Sequence, residues 1–101
     1  MTLQIHDIGG NCPVQSTGIY LGRRFHVRAM YKHVEVTIAH DLTVLNALHD
    51  DTAWHWEEAV PDAYQYGAGW LNEHEVLAFM ARAFAAFDAH LMGLAKSDTA
   101  R

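Results

Sequence analysis

The chain has 101 residues, half of them apolar, one cysteine, and a net charge of −5 with its histidines neutral. That length holds one modest core, and the lone Cys12 excludes an internal disulfide and suits a reducing compartment. There is no uninterrupted apolar run of about 18 residues and no basic segment ahead of an apolar one near Met1, so the expectation is a cytoplasmic protein without a membrane span.

The charge is unevenly spread. Between Lys32 and Arg82 there is no lysine or arginine but nine acids: Glu35, Asp41, Asp50, Asp51, Glu57, Glu58, Asp62, Glu73 and Glu75. Phosphate neutralisation needs clustered bases, so direct binding to nucleic acid is not expected, and a basic protein surface is the better partner.

In chain order, residues 1–13 form an N-terminal segment that holds at best a short strand over 3–8. The breaker cluster Gly9-Gly10-Asn11-Cys12-Pro13 is expected to keep it apart from the rest of the chain. Val14 to Tyr20 reads as a strand, with Leu21-Gly22 as a tight turn in which Gly22 takes a positive φ. The next strand alternates cleanly: Phe25, Val27, Ala29 and Tyr31 on one face, Arg24, His26 and Arg28 on the other. After a turn at Tyr31-Lys32 the alternation resumes with Val34, Val36 and Ile38 inward. A two-residue turn sets Phe25 opposite Ile38, Val27 opposite Val36, Ala29 opposite Val34 and Arg28 opposite Glu35.

Residues 40–71 are acidic and aromatic. Leu42, Val44, Leu45 and Leu48 suggest one or two helical turns ending near His49, and Trp54 to Val60 a fourth strand ahead of Pro61. From Asn72 a helix is marked by a capping box with Glu75. Its apolar stripe is Val76, Leu77, Met80, Ala83, Phe84, Phe87, Leu91 and Leu94, and Gly93 suits its stop, which gives a helix over 72–95. The expected fold is a single α+β domain: a three- or four-stranded antiparallel meander over 14–39 and beyond, with the helix packed on one face. Its core draws on Phe25, Val27, Ala29, Val34, Val36, Ile38, Val76, Met80, Phe84, Phe87 and Leu91.

The pattern Cys12-Pro13-Val14-Gln15, Gly18, Gly22, Phe25, Val27-Arg28-Ala29 and, later, Gly67-Ala68-Gly69-Trp70 before an acid-capped helix resembles a group of small uncharacterised phage and prophage proteins. This chain carries a longer and more acidic middle than that group. The resemblance implies a context and not an activity: small acidic phage proteins often occupy a host protein's surface, as anti-CRISPR proteins and DNA mimics do.

Among possible chemistries, eight histidines raise metal binding first. His74-Glu75 begins like a helical zinc motif, but Ala78 stands where the second histidine is needed. His40, His49, His55 and His90 have no tight multi-ligand spacing, so neither a metal nor another cofactor is expected. Cys12 lacks a helix N-terminus to activate it, and Gly67-x-Gly69 lacks the third glycine of a nucleotide loop. The function that emerges is a non-enzymatic, anti-CRISPR-like inhibitor of a basic, nucleic-acid-binding host protein, in its sharpest form a CRISPR–Cas component. Its expected contact residues are Asp50, Asp51, Trp54, Trp56, Glu57, Glu58, Asp62, Tyr64 and Tyr66, with core packing the alternative role for Trp54 and Trp56. The rivals are a metal-dependent enzyme or metal sensor built on the histidines, and a self-associating structural protein, for which the small stripe Ala78, Ala81, Ala85, Ala89 and Met92 is the candidate homodimer face.

Overall fold

The computed structural model describes residues 3–10, 13–30, 32–61 and 71–99, with the backbone alone for 95–99. It has five strands, β1 Leu3–Gly9, β2 Val14–Tyr20, β3 Arg23–Met30, β4 His33–Ile38 and β5 Trp54–Ala59, and one long helix, α1 Glu73–Thr99. A three-residue 3-10 helix, Ala47–His49, lies between β4 and β5. The strands form one antiparallel sheet in the order β1-β2-β3-β4-β5. The α+β architecture is therefore as expected, with one or two more strands.

The β3–β4 register follows the sequence alternation residue for residue: Phe25 pairs with Ile38, Val27 with Val36, Ala29 with Val34 and Arg28 with Glu35. At the β2–β3 turn both central residues have positive φ, Leu21 at 51° and Gly22 at 72°, as a type I′ turn requires. A leucine is costly there, but Leu21 packs partly buried against the core, and the Arg23 guanidinium donates to its carbonyl at 3.0 Å.

The N-terminal segment does not stand apart. Gly10, at φ +91°, helps to reverse the chain, and β1 pairs with β2 from Gln15 to Tyr20 with a register shift between Ile5 and Asp7. Gly18 is what lets the three strands meet at that irregularity. A Cβ there would run into the Gln4 carbonyl oxygen and sit 2.9 Å from the Phe25 ring.

One face of the sheet belongs to α1. Val14, Tyr20, Phe25, Val27, Ala29, Val34, Val36 and Ile38 are buried against Val76, Phe79, Met80, Ala83, Phe84 and Phe87. Tyr20 stacks on Phe84 with ring centres 4.3 Å apart, and its hydroxyl donates to Asp88 at 2.7 Å. Burial, and next the hydrogen bond to Asp88, push the Tyr20 phenol up to about 12. The capping box forms as predicted: the Asn72 amide donates to Glu75 Oε1 and the Glu75 amide to Asn72 Oδ1, each at 2.9 Å. Gly93 does not end the helix, which runs on to Thr99. An exposed glycine inside a helix costs only about 1 kcal/mol.

By length and composition, Glu73–Leu94 is also apolar enough to cross a membrane, which a count of uninterrupted apolar residues does not reveal. A core helix passes the same test, and the apolar stripe here is spent on the sheet. The predicted turns over 42–48 shrink to the 3-10 helix, because Asp41 and Asn46 side chains take the local amides of Thr43 and Leu48.

Replacing Gly18 by alanine is expected to overpack the β1–β2–β3 junction and destabilise the protein by about 1–3 kcal/mol; denaturant unfolding of the variant measures it.

Candidate functional site

Alternation that buries one face of the sheet puts the opposite set of side chains on a face that α1 does not cover. The strand register aligns them in rows. Asp7, Thr17, His26, Thr37 and His55 follow one another across all five strands, and one step along the strands lie Gln15, Arg28, Glu35 and Glu57. Three hollows open on this face. One is lined by Glu35, Thr37, His55 and Glu57, one by Arg28, Met30, His33 and Glu35, and one by His6, Thr17, His26 and Leu45 to Ala47.

Two polar pairs close across neighbouring strands of the face. His26 Nε2 lies 2.9 Å from Gln15 Oε1, and burial, then the charge of Arg28, lowers the His26 pKa. Thr37 Oγ1 lies 3.2 Å from His55 Nδ1. The row of charges is different. Glu35 stands directly opposite Glu57 on the neighbouring strand, an arrangement that is destabilising by itself. His33 Nε2 approaches Glu57 to 3.3 Å. Arg28 is the register partner of Glu35, yet no ion pair closes between them, and among the described residues no cation pairs with Glu35.

The other predicted contact residues are dispersed. Asp50 is buried and acts as a clamp: Oδ2 accepts from the His40 amide at 2.8 Å and lies 2.6 Å from His40 Nδ1, while Oδ1 accepts from the Thr52 amide at 2.9 Å and hydroxyl at 2.6 Å. Its neighbour Asp51 is exposed. Trp54 and Trp56 point to the helix side and pack, partly buried, against the core, Trp54 edge-on to Phe87 at 5.2 Å, which is the core-packing role given as their alternative. Glu58 is also on that side, receiving Arg82 Nε at 3.0 and 3.1 Å. Of the predicted set, Glu57 and Asp51 remain as exposed acids. Asp62, Tyr64 and Tyr66 lie outside the described residues, as do Cys12 and the Gly67–Trp70 stretch. Ala78, Ala81, Ala85, Ala89 and Met92 are all exposed on the back of α1.

The His40–Asp50–Thr52 group has the residue types of a hydrolytic triad but not its geometry. A triad needs the hydroxyl on one ring nitrogen and the carboxylate on the other. Here Thr52 Oγ1, at 3.1 Å, and Asp50 both meet Nδ1, while Nε2 faces Asp41 at 3.3 Å. The group is a clamp that holds the β4–β5 connection. Among the described residues, no three His, Cys, Asp or Glu side chains are placed to hold a metal ion. Glu35 escaped sequence reasoning because its partner across the sheet becomes visible only once β5 is paired with β4.

Comparison with protein-family models, with curated proteins and with solved structures returned no match.

The clamp has a definite pH signature. Hydrogen bonds from Thr52 and the His40 amide hold the Asp50 carboxyl well below its ordinary value of 3.8, so its contribution is present above that value and is lost as pH falls through the lowered one. The bond to Asp50 raises His40 above 6.5, so that contribution is full below 6.5 and is lost as pH rises through the raised value. Asp50→Asn is therefore expected to destabilise most between these ordinary values, and to bring the His40 titration midpoint down; histidine ring-proton NMR across pH reads the second effect directly.

Proposed function

We propose that the protein is a non-enzymatic binding protein that docks on a basic, nucleic-acid-binding host protein through the helix-free face of its sheet, and so inhibits it. The observation that supports this reading is the Glu35–Glu57 pair, two carboxylates held opposite one another on an open face with one of them lacking a cation. A guanidinium or ammonium from a partner would relieve the repulsion, and a repulsive pair retained in an otherwise consistent register suits a site better than a scaffold. On the face itself β4 and β5 bring acids and no lysine or arginine, while β3 brings Arg28 beside Glu35. The resemblance to phage and prophage proteins supplies the context, in which a CRISPR–Cas component is the sharpest candidate partner.

Glu35→Gln/Glu57→Gln tests the reading from both sides. Removal of the repulsion is expected to stabilise the fold by roughly 0.2–1 kcal/mol, seen as a small rise in melting temperature. Capture from a nuclease-treated bacterial lysate is expected to retain a basic nucleic-acid-binding protein on the wild type, and to lose it with the double variant or in high salt. Retention of the same partner by both forms at unchanged salt dependence would sink the proposal.

The second reading, a homodimer through the back of α1, is favoured by the exposure of all five stripe residues. Small side chains there let another backbone approach closely. If the stripe is a seam, Ala85→Glu buries an unpaired carboxylate and splits the dimer; if it faces water, the variant is nearly neutral. Sedimentation of both forms at matched concentration decides, and a wild-type monomer at high concentration removes the dimer.

A further inference from the structure

Among the described residues, six large apolar side chains are exposed, and three of them, Leu42, Leu45 and Leu48, fall within the connection from β4 to β5. Their exposures are 43, 86 and 47%. Scattered exposed leucines need no explanation, but three within one short connection do. This one is also fixed in place. Arg24 Nε donates to the Leu42 carbonyl at 3.3 Å, and the Asn46 side chain accepts from the Leu48 amide at 3.0 Å. The amides of His49 and Asp50 close back on the carbonyls of Asn46 and Ala47. Ala47, between two of the leucines, is buried, and the Asp50 clamp ties the far end of the segment to His40. A flexible loop would lose its entropy on binding, whereas a fixed one has already lost most of it.

The surroundings state what fits. Asp41 and Asp51 flank the leucines in the chain, and the nearest guanidinium, Arg24, is engaged by the segment's own backbone. Leu45 lines the same hollow as Thr17 and His26. Two residues along β4 and β5 from Thr37 and His55 in that row stand Glu35 and Glu57, a step of about 7 Å. Leu45, the histidine–threonine row and the glutamate pair thus lie along one face, apolar at one end and with Glu35 and Glu57, beside Arg28, at the other.

We infer that Leu42, Leu45 and Leu48 are the apolar anchor of the docking face, and that the occupant is a basic amphipathic segment of a partner protein. Its apolar side sits on the leucines and its lysines or arginines reach the acids. This rests on the reading of the helix-free face as an acidic docking surface, and it gives the anchoring role to residues other than Trp54 and Trp56.

The probe is a synthetic leucine–lysine peptide patterned as an amphipathic helix, with a leucine–glutamate peptide of the same pattern as control, titrated calorimetrically into the full chain. The wild type is expected to bind the first and not the second. Leu45→Ser/Leu48→Ser is expected to weaken binding by roughly tenfold or more with the melting temperature unchanged, as exposed positions allow. Binding as tight as wild type by this variant overturns the anchor. So does the absence of any binding by the wild type up to about 1 mM peptide. Glu35→Gln/Glu57→Gln runs alongside: if it weakens binding while the leucine variant does not, the acidic face stands and the anchor falls, and the reverse keeps the anchor and removes the glutamate pair. A wild-type dimer that the leucine variant dissociates identifies a second copy as the occupant, and overturns the proposed partner.

Discussion

One helix must cover one face of five strands, and that mismatch in width shapes the molecule. Five strands spaced about 4.8 Å apart span roughly 19 Å between the outermost axes, whereas a helix with its side chains is only about 10 Å across. Apart from Phe25, which meets Phe84 edge-on, the central strands face α1 with small and medium side chains, Val27, Ala29, Val34, Val36 and Ile38. Toward the edges the residues must be longer to reach it. Tyr20 on β2 stacks on Phe84 and bonds Asp88, Trp54 and Trp56 on β5 lean in as indoles, and Glu58 reaches Arg82 as an ion pair. The aromatic residues of β5 are thus explained by reach, and β1, furthest out, stays largely exposed.

The same geometry explains which elements were legible. Burial alternates along β2 and β3 and through the first half of β4, and the pairs Tyr20–Arg23 and Met30–His33 leave two-residue turns, so burial period and turn chemistry agree. In β1 the register shift between Ile5 and Asp7 breaks the period of Leu3, Ile5 and Ile8, and a broken period does not announce a strand. Leu42, Leu45 and Leu48 fail in the opposite way: a spacing of three imitates a helix, while local side-chain bonds from Asp41 and Asn46 compete for the amides a helix would use. Gly93 is a reminder that glycine is a stop signal only where the chain must turn.

Charge was legible in total but not in place. The run without bases is visible in the sequence, yet its acids divide into structural and exposed ones by tertiary contacts alone. Asp50 and Asp51 are neighbours in the chain, and one is a buried clamp while the other faces water. Glu57 and Glu58 divide in the same way, because adjacent residues of a strand point to opposite faces. Adjacent acids in a strand therefore fall on different faces, whereas register partners on neighbouring strands, such as Glu35 and Glu57, share one.

On the proposed docking, that division gives the two ends of the open face different tasks. Exposed carboxylates act at a distance, over about 10 Å at 0.1 M salt, and so govern how fast a basic surface arrives and in which orientation. They hold little once it has docked, because an exposed pair with a partner's lysine or arginine contributes only about 0–1 kcal/mol. Apolar contact has the opposite profile: it has no reach, but it sets how slowly the complex comes apart. A face with acids alone would attract many basic proteins and keep none. On the docking proposed above, the leucines of the β4–β5 connection would supply the short-range contact that exposed acids lack, and the two together would turn a general attraction for basic proteins into retention of those that also carry an apolar stripe.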